Sequence, residues 1–389
     1  MPLVVYILGL TIFSLNTSEF MVAGMMPSLT QAFGVSVTQI GYLISLYALG
    51  MVVGGPLLTA GLLKLRVSNK SALLWLLGLY AVAQSVAAST DSYAVMAAAR
   101  VVTGVAASAC FGASLAICAE VVDVEVRGRA ASIVLGGLML AAALGVPMAT
   151  LIDQYLGWRA SFWLVVALTI LCAVAIGARA PLSQASTPIS LTAELAEFRN
   201  RHLWAAYATS ALIIGATFAA FSYFTPILTE VAGFSAAAIP WLLGSYGVAN
   251  IVGNTVVGRH ADRHTFPVMV CGLSLLIAAL IAFALLAHSP VASVVMVLMI
   301  GLVGVTMNPA MVARVMRTAR PGPLVNTVHT SVINIGLGMG AWLGGLGIGA
   351  GYGLRSPLWV GVVLGVLGLA SLLPYLGKRR ATTGGTAQR

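Results

Sequence analysis

Runs of about twenty apolar residues recur along the whole chain, and this pattern constrains the fold more than any other feature. They fall near 4–27, 39–62, 71–89, 94–119, 131–152, 160–178, 203–229, 238–257, 266–287, 291–313, 325–349 and 357–376. Each is long enough to cross a bilayer as a helix, which satisfies its backbone groups within its own segment. A transmembrane β-barrel would alternate polar and apolar residues, whereas these runs are continuous. A water-soluble chain is excluded as well. Only 8% of the 389 residues are charged and 60% are hydrophobic, against roughly 25% charged in soluble domains. The sequence predicts an all-α polytopic membrane protein with 12 transmembrane helices.

The net charge of +10 is organised by position. Lys64, Arg66 and Lys70 share one connection, Arg127 and Arg129 the next but one, and Arg179, Arg199 and Arg201 the next but one again. Arg259 and Arg263, then Arg314, Arg317 and Arg320, then Lys378, Arg379, Arg380 and Arg389 continue the alternation, placing 17 of 20 bases on one side. Arg159 and Arg355 lie opposite, and Arg100 sits inside a span. By the positive-inside rule the basic side is cytoplasmic and holds both termini. The basic balance is thus a topology signal. No loop supplies a folded basic module for nucleic acid. The first run has no preceding Lys or Arg and exceeds the length of a signal peptide, so it is expected to remain as span one. Cys110, Cys118, Cys172 and Cys271 all fall inside spans without metal-type spacing and read as packing residues.

The longest connection, from Arg179 to about His202, opens with Pro181 and a Ser/Thr/Gln run and then places Leu191, Leu195 and Phe198 at helical spacing. It predicts an amphipathic segment on the membrane surface. The expected organisation is a six-helix bundle over 1–180, a cytoplasmic linker over 181–202, and a second bundle with a short basic tail over 203–389. An offset of 199 aligns the halves without a gap. Pro27 meets Pro226, Leu29 meets Leu228, Gly34 meets Gly233 and Ser36 meets Ser235. Ile40, Leu43, Tyr47 and Gly54 then meet Ile239, Leu242, Tyr246 and Gly253. Chance predicts about two identities over that stretch, so the halves read as pseudo-repeats of one six-helix unit. Parallel six-span repeats with a binding site at their interface describe the major facilitator fold.

Several motifs carry that resemblance further. The run Gly253-Asn254-Thr255-Val256-Val257-Gly258-Arg259-His260-Ala261-Asp262-Arg263 resembles the cytoplasmic loop signature of the superfamily. The resemblance implies a conformational latch in which Asp262, beside Arg259 and Arg263, forms charge-assisted bonds near a helix end. In the first half Leu63 replaces the Asp, while Lys64 and Arg66 keep the charge. Arg100 to Gly104 resembles the Arg-x-x-x-Gly signature of drug–proton antiporters. An Arg at helix centre costs roughly 3 kcal/mol on insertion scales, so it needs acceptors. The resemblance places those acceptors on span one and implies a role in proton coupling, although packing against backbone carbonyls alone would also account for it. Span five carries Gly136, Gly137, Gly145, Val146 and Pro147, similar to the antiporter glycine–proline signature; a proline bend with close helix contact explains it equally.

Span one contains Asn16-Thr17-Ser18-Glu19-Phe20. Glu19 is the one acid deep inside a predicted first-half span. An unpaired ionised carboxylate there is costly, so it is expected to be protonated or paired, as a proton carrier requires. A permanently neutral Glu bonded to a neighbouring helix is the alternative. Its repeat mate is Phe218, and that of Arg100 is Met299, so the chemistry is confined to one half. The span-one run resembles the bacterial drug–proton antiporters that include chloramphenicol exporters and sugar efflux proteins. Gly145-Val146-Pro147, Gly157-Trp158-Arg159 and Arg314-Val315-Met316-Arg317 point the same way.

In the second half Tyr246, Asn250, Asn308, Asn326, His329 and Asn334 are polar groups in or beside spans. Such groups bridge helices or touch a substrate, and an imidazole can exchange a proton near neutrality. Phe20, Phe111, Tyr223 and Phe224 offer aromatic walls. The candidate substrate set is Asn16, Phe20, Phe111, Tyr223, Tyr246, Asn250, Asn308, His329 and Asn334, with Glu19 and Arg100 for the proton and Gly104, Gly145 and Pro147 for packing. The expectation is a monomeric, proton-driven exporter of small neutral amphiphiles in a bacterial inner membrane. It needs no cofactor or metal and is not an enzyme. A sugar or nucleoside exporter is the alternative. No phosphate-binding Gly-x-x-x-x-Gly-Lys motif is present for ATP drive, and midplane depth offers no catalytic set.

Overall fold

The computed structural model describes residues 1–64, 67–181, 196–319 and 323–376, and it contains only helices and connections there. Among the described residues, twelve helices are long and apolar enough to cross a membrane. In the first half they are α1 Leu3–Gly24, α2 Val37–Lys64, α3 Asn69–Ser89, α4 Tyr93–Glu120, α5 Arg127–Leu156 and α6 Trp158–Arg179. In the second they are α7 Arg201–Phe221, α8 Ala236–Ala261, α9 Arg263–Leu286, α10 Pro290–Thr318, α11 Val325–Tyr352 and α12 Ser356–Tyr375. The predicted helix count holds, and with twelve spans the start of α1 and the end of α12 lie on one face. Leu191, Leu195, Arg320 and the tail from Gly377 lie outside the described residues, as do the side chains of Leu63 and Asp262.

Four spans depart from the simple rods that the apolar runs suggest. α1 stops at Gly24 because Pro27 starts a separate helix, Met26–Phe33, which ends at Gly34 in a left-handed conformation, φ 62°. Its repeat mate Gly233 does the same, φ 77°. α7 ends at Phe221 rather than near residue 229, again ahead of a proline, Pro226. α5 contains a π-helical turn at Ala141–Gly145 just before Pro147, the widened turn that accommodates a residue without an N–H. α10 breaks at Gly304, φ −78° and ψ −100°, continues as a 3₁₀ turn over Val305–Met307, and restarts at Asn308. The connection between α8 and α9 is a bend at His264 within nearly continuous helix rather than an open loop.

Close approach by glycine sets the packing, as expected where lipid removes the hydrophobic drive between helices. A Cβ on Gly104 would lie 2.1 Å from the Tyr47 carbonyl oxygen, and one on Gly50 2.3 Å from that of Val101, so α2 and α4 touch along their backbones. A Cβ on Gly145 would fall 2.0 Å from Thr17 Oγ1 and one on Gly137 2.1 Å from Gly9 O, so α5 presses on α1. Between the halves, a Cβ on Gly247 of α8 would fall 2.3 Å from the Ala143 Cα of α5. Thr38 donates to Gly345 O at 3.1 Å and Thr225 to Ala23 O at 2.7 Å. The two hydrogen bonds lie at the face opposite the start of α1, where the halves are tied, and Gly247 meets α5 near mid-span.

Candidate proton and substrate site

Arg100 is fully buried in α4, and its guanidinium is spent on span one and α2. Nη1 donates to Ser18 O at 2.9 Å and to Ser18 Oγ at 3.3 Å, Nη2 to Glu19 O at 3.1 Å, and Nε to Leu43 O at 3.4 Å. The plane lies over the Tyr47 ring, 4.3 Å from its centroid. Tyr47 OH in turn donates to Leu15 O at 3.2 Å, and Ser18 Oγ donates to Gln84 Oε1 at 3.1 Å. Four helices, α1 to α4, therefore converge on one cation. Gly104 stands one turn beyond Arg100, and the backbone contact it permits is what brings Tyr47 under the guanidinium.

Glu19 is 4% exposed. Arg100 holds it through its main-chain carbonyl, and among the described residues its carboxyl group makes no ion pair. The arginine is thus anchored without an ion pair to the Glu19 carboxyl. Asn16 is buried and donates to Ile12 O at 2.8 Å on its own helix. Phe20 faces the other half, its ring 5.5 Å from Phe218 and 6.1 Å from Phe221.

That contact opens an aromatic cluster. Phe221 stacks on Tyr246 at 5.0 Å, and Phe224 lies edge-on to Tyr246 at 5.6 Å. Asn250, one turn after Tyr246, donates to its carbonyl at 3.2 Å, while its Oδ1 is buried with no partner. Asn308 sits where α10 restarts after its break, and its Oδ1 is also buried and unpartnered. Gly304 at the break packs on Thr217, next to Phe218, and a Cβ on Gly253 of α8 would fall 2.2 Å from Leu302 O. Aromatic faces and two unused amide oxygens suit a ligand with an aromatic or amphiphilic body and a few N–H or O–H donors.

Other candidates lie elsewhere. Tyr223 is fully buried in the seam between the halves, its hydroxyl donated to Ala341 O at 2.8 Å, so it packs the closed face rather than lining an open wall. His329 is 3% exposed and held inside the second half, with Nε2 2.9 Å from Ser210 Oγ and its ring stacked on Tyr207 at 5.6 Å. It bridges α11 to α7. Asn334 is buried and donates to Thr330 O at 3.1 Å on its own helix, Phe111 is half-buried, and Asn326 is exposed. In the latch run Gly258 has open space around it, and Arg259 and Arg263 are exposed.

The structure also brings in residues the sequence reading passed over. Tyr47 and Gln84 complete the Arg100 cage; Tyr47 already stood out as a repeat identity. Asp153, expected in a connection, is 8% exposed near the end of α5 and accepts from Ser28 Oγ at 2.7 Å. Arg314, counted as a loop base, is 3% exposed. Its Nη1 donates to Thr209 Oγ1 at 2.7 Å, and its guanidinium lies 5.0 Å from the Tyr375 ring centroid and 5.6 Å from that of Phe266. Gly157-Trp158-Arg159 is a staple: Gly157 turns at φ 84°, and Arg159 pairs with Asp91 and lies over Trp158.

Comparisons with known proteins agree with this architecture. Residues 8–328 match the Major Facilitator Superfamily profile. A chloramphenicol resistance protein of Streptomyces lividans is 32% identical over 380 residues, covering 96% of each chain. The inner membrane transport protein YdhP of Escherichia coli K12 is 30% identical over 374 residues, covering 96% of this chain and 95% of its own. A bacterial homologue of the human lysosomal transporter Spinster, crystallised inward-facing and occupied, matches the fold with a TM-score of 0.74 at 17% identity over 96% of each chain. With twelve spans in two six-helix halves and a matching profile over most of its length, the chain belongs to the major facilitator superfamily.

Proposed function

We propose that this transporter is a proton-coupled exporter of small, largely neutral amphiphiles of the chloramphenicol type. It works as a monomer by alternating access across a bacterial cytoplasmic membrane, with both termini inside. The observation that carries the reading is one turn of α1. There Glu19, a buried acid beside Arg100, adjoins Phe20, whose ring meets Phe218 and Phe221 of the other half. A change in protonation and a movement of the halves therefore share the same few residues. The 32% identical chloramphenicol resistance protein supports the substrate class.

In this reading a proton on Glu19 and a substrate against Phe20, Tyr246, Asn250 and Asn308 exclude one another. The tied face is the outer one, so the described state opens inward. Asp262, with Arg259 and Arg263, biases that equilibrium from the cytoplasmic side. The drive is the proton gradient, without a cofactor. One proton entering across 100 mV releases about 2.3 kcal/mol, and a unit of pH difference adds about 1.4 kcal/mol. Together they support a gradient of several-hundredfold for an uncharged substrate.

The test is transport in proteoliposomes with an imposed pH gradient, with radiolabelled chloramphenicol and arabinose run in parallel. Uphill movement of chloramphenicol that collapses with the gradient is the expected result. Movement of arabinose alone would transfer the proposal to sugar export. Movement indifferent to the gradient would make the protein a facilitator and remove Glu19 from the mechanism.

A further inference from the structure

On the face opposite the start of α1, α9, α11 and α12 line an open groove of about 880 Å³ that takes no part in the site above. Its walls are Leu285, Leu343, Leu346, Trp359 and Val363, with Arg355 at the mouth. Leu285, Leu346, Trp359 and Val363 are exposed at positions within the spans, so the groove opens sideways toward the bilayer. Arg355 precedes the first turn of α12, and one guanidinium nitrogen donates to Ala284 O at 3.3 Å. Arg159, the other base on this face, is paired with Asp91; Arg355 has no acidic partner among the described residues.

We propose that this groove binds one anionic phospholipid, with its phosphate on Arg355 and an acyl chain between α11 and α12. The charge and the depth both fit. From Arg355 to Leu364 the helix rises about 13 Å, close to the roughly 15 Å hydrocarbon depth of one leaflet. The cation therefore stands at headgroup level while the apolar walls run along a chain. Tyr352, 80% exposed, and Trp359 flank the mouth at the level where amphipathic rings collect in membranes. An apolar peptide or a second copy of this chain would leave the guanidinium unpaired, whereas a phosphate accepts its remaining donors in a fork.

The full-length protein would be placed in phosphatidylcholine nanodiscs containing a minor fraction of phosphatidylglycerol with a photoreactive acyl chain. Adduct positions would then be mapped by peptide mass spectrometry. Adducts should concentrate on the α11 and α12 peptides. The preference over a phosphatidylcholine probe with the same chain should be about fivefold, the worth of one basic side chain near an anionic surface. Arg355→Gln should abolish that preference and Arg355→Lys should keep most of it. Leu346→Trp, which fills the groove with Arg355 intact, should lower the adduct from both probes. Gel filtration of each variant reports whether it is folded. Adducts spread evenly around the lipid-facing helices, or an unchanged preference in Arg355→Gln, would overturn the proposal. So would displacement of the probe by saturating chloramphenicol, which would make the groove a substrate vestibule.

Discussion

Tyr47 in the first half and Tyr246 in the second occupy matching places. Each presents its main-chain carbonyl to a glycine two spans on: a Cβ would lie 2.1 Å away on Gly104 and 2.8 Å away on Gly301. Gly34 and Gly233 both close short helices at positive φ. The contents of the two scaffolds diverge. Four residues before Gly104 stands Arg100, lying over Tyr47; four residues before Gly301 stands Val297, which by this packing is the mate of Arg100 in place of Met299, the residue at the constant offset of 199, and Tyr246 stacks on Phe221 instead. Glu19 aligns with Phe218, and the two meet through Phe20. The duplicated backbone needs the small residues. It does not need Glu19 and Arg100, which are an addition to the first half. In the proposed mechanism that half handles the proton, and the second supplies aromatic and amide groups.

The comparison can be broken most severely at the glycines. Gly104→Ala should cost at least about 3 kcal/mol or prevent folding, since backbone meets backbone there. Gly301→Ala should cost about 1 kcal/mol. Gly258→Ala, in open space, should be neutral or slightly stabilising. Thermal unfolding of the three purified variants checks the order, and equal losses would remove the packing argument.

Next in size is the pair of buried arginines. Arg100→Lys keeps the charge and loses the planar fork that serves Ser18, Glu19 and Leu43, so proton-driven export should fall about a hundredfold. Arg314→Met should lower thermal stability by about 2 kcal/mol, because an anchored guanidinium is lost, while the dependence of transport on the pH gradient persists. Wild-type export in Arg100→Lys, or lost coupling in Arg314→Met, would reverse the assignment of chemistry to the halves. The smallest effects belong to the amides. Asn250→Ala and Asn308→Ala should each raise the KM for chloramphenicol about fivefold, the value of one neutral hydrogen bond, with proton drive intact. A fall in drive at unchanged KM would place them outside the substrate contacts.

The helix count and the repeat were legible in the sequence, because bilayer thickness and backbone satisfaction allow few other answers to such apolar runs. The prominence of Glu19 and Arg100 was legible as well, since a charge in a span is expensive wherever it falls. Helix interruptions were less so. Pro147 marked a bend, whereas Pro27 and Pro226 read only as a repeat pair, and the break at Gly304 depends on how that glycine packs against Thr217, a tertiary contact. Burial misled in both directions for the same reason. Arg314 and Asp153 lie near span ends, where sequence cannot separate a loop from a packed helix terminus. His329 and Tyr223 are polar or aromatic residues in spans, and whether such groups face a cavity or a neighbouring helix is decided by the partners that Ser210, Tyr207 and the Ala341 carbonyl provide.

If a proton on Glu19 and a substrate between the halves exclude one another, the purified protein in weakly buffered detergent should give up protons as chloramphenicol is added, read with a pH indicator. Wild type should release protons in step with binding, and Glu19→Gln should bind chloramphenicol without releasing any. Equal release from Glu19→Gln would contradict the account, as would substrate binding to wild type that leaves the indicator unchanged at every pH.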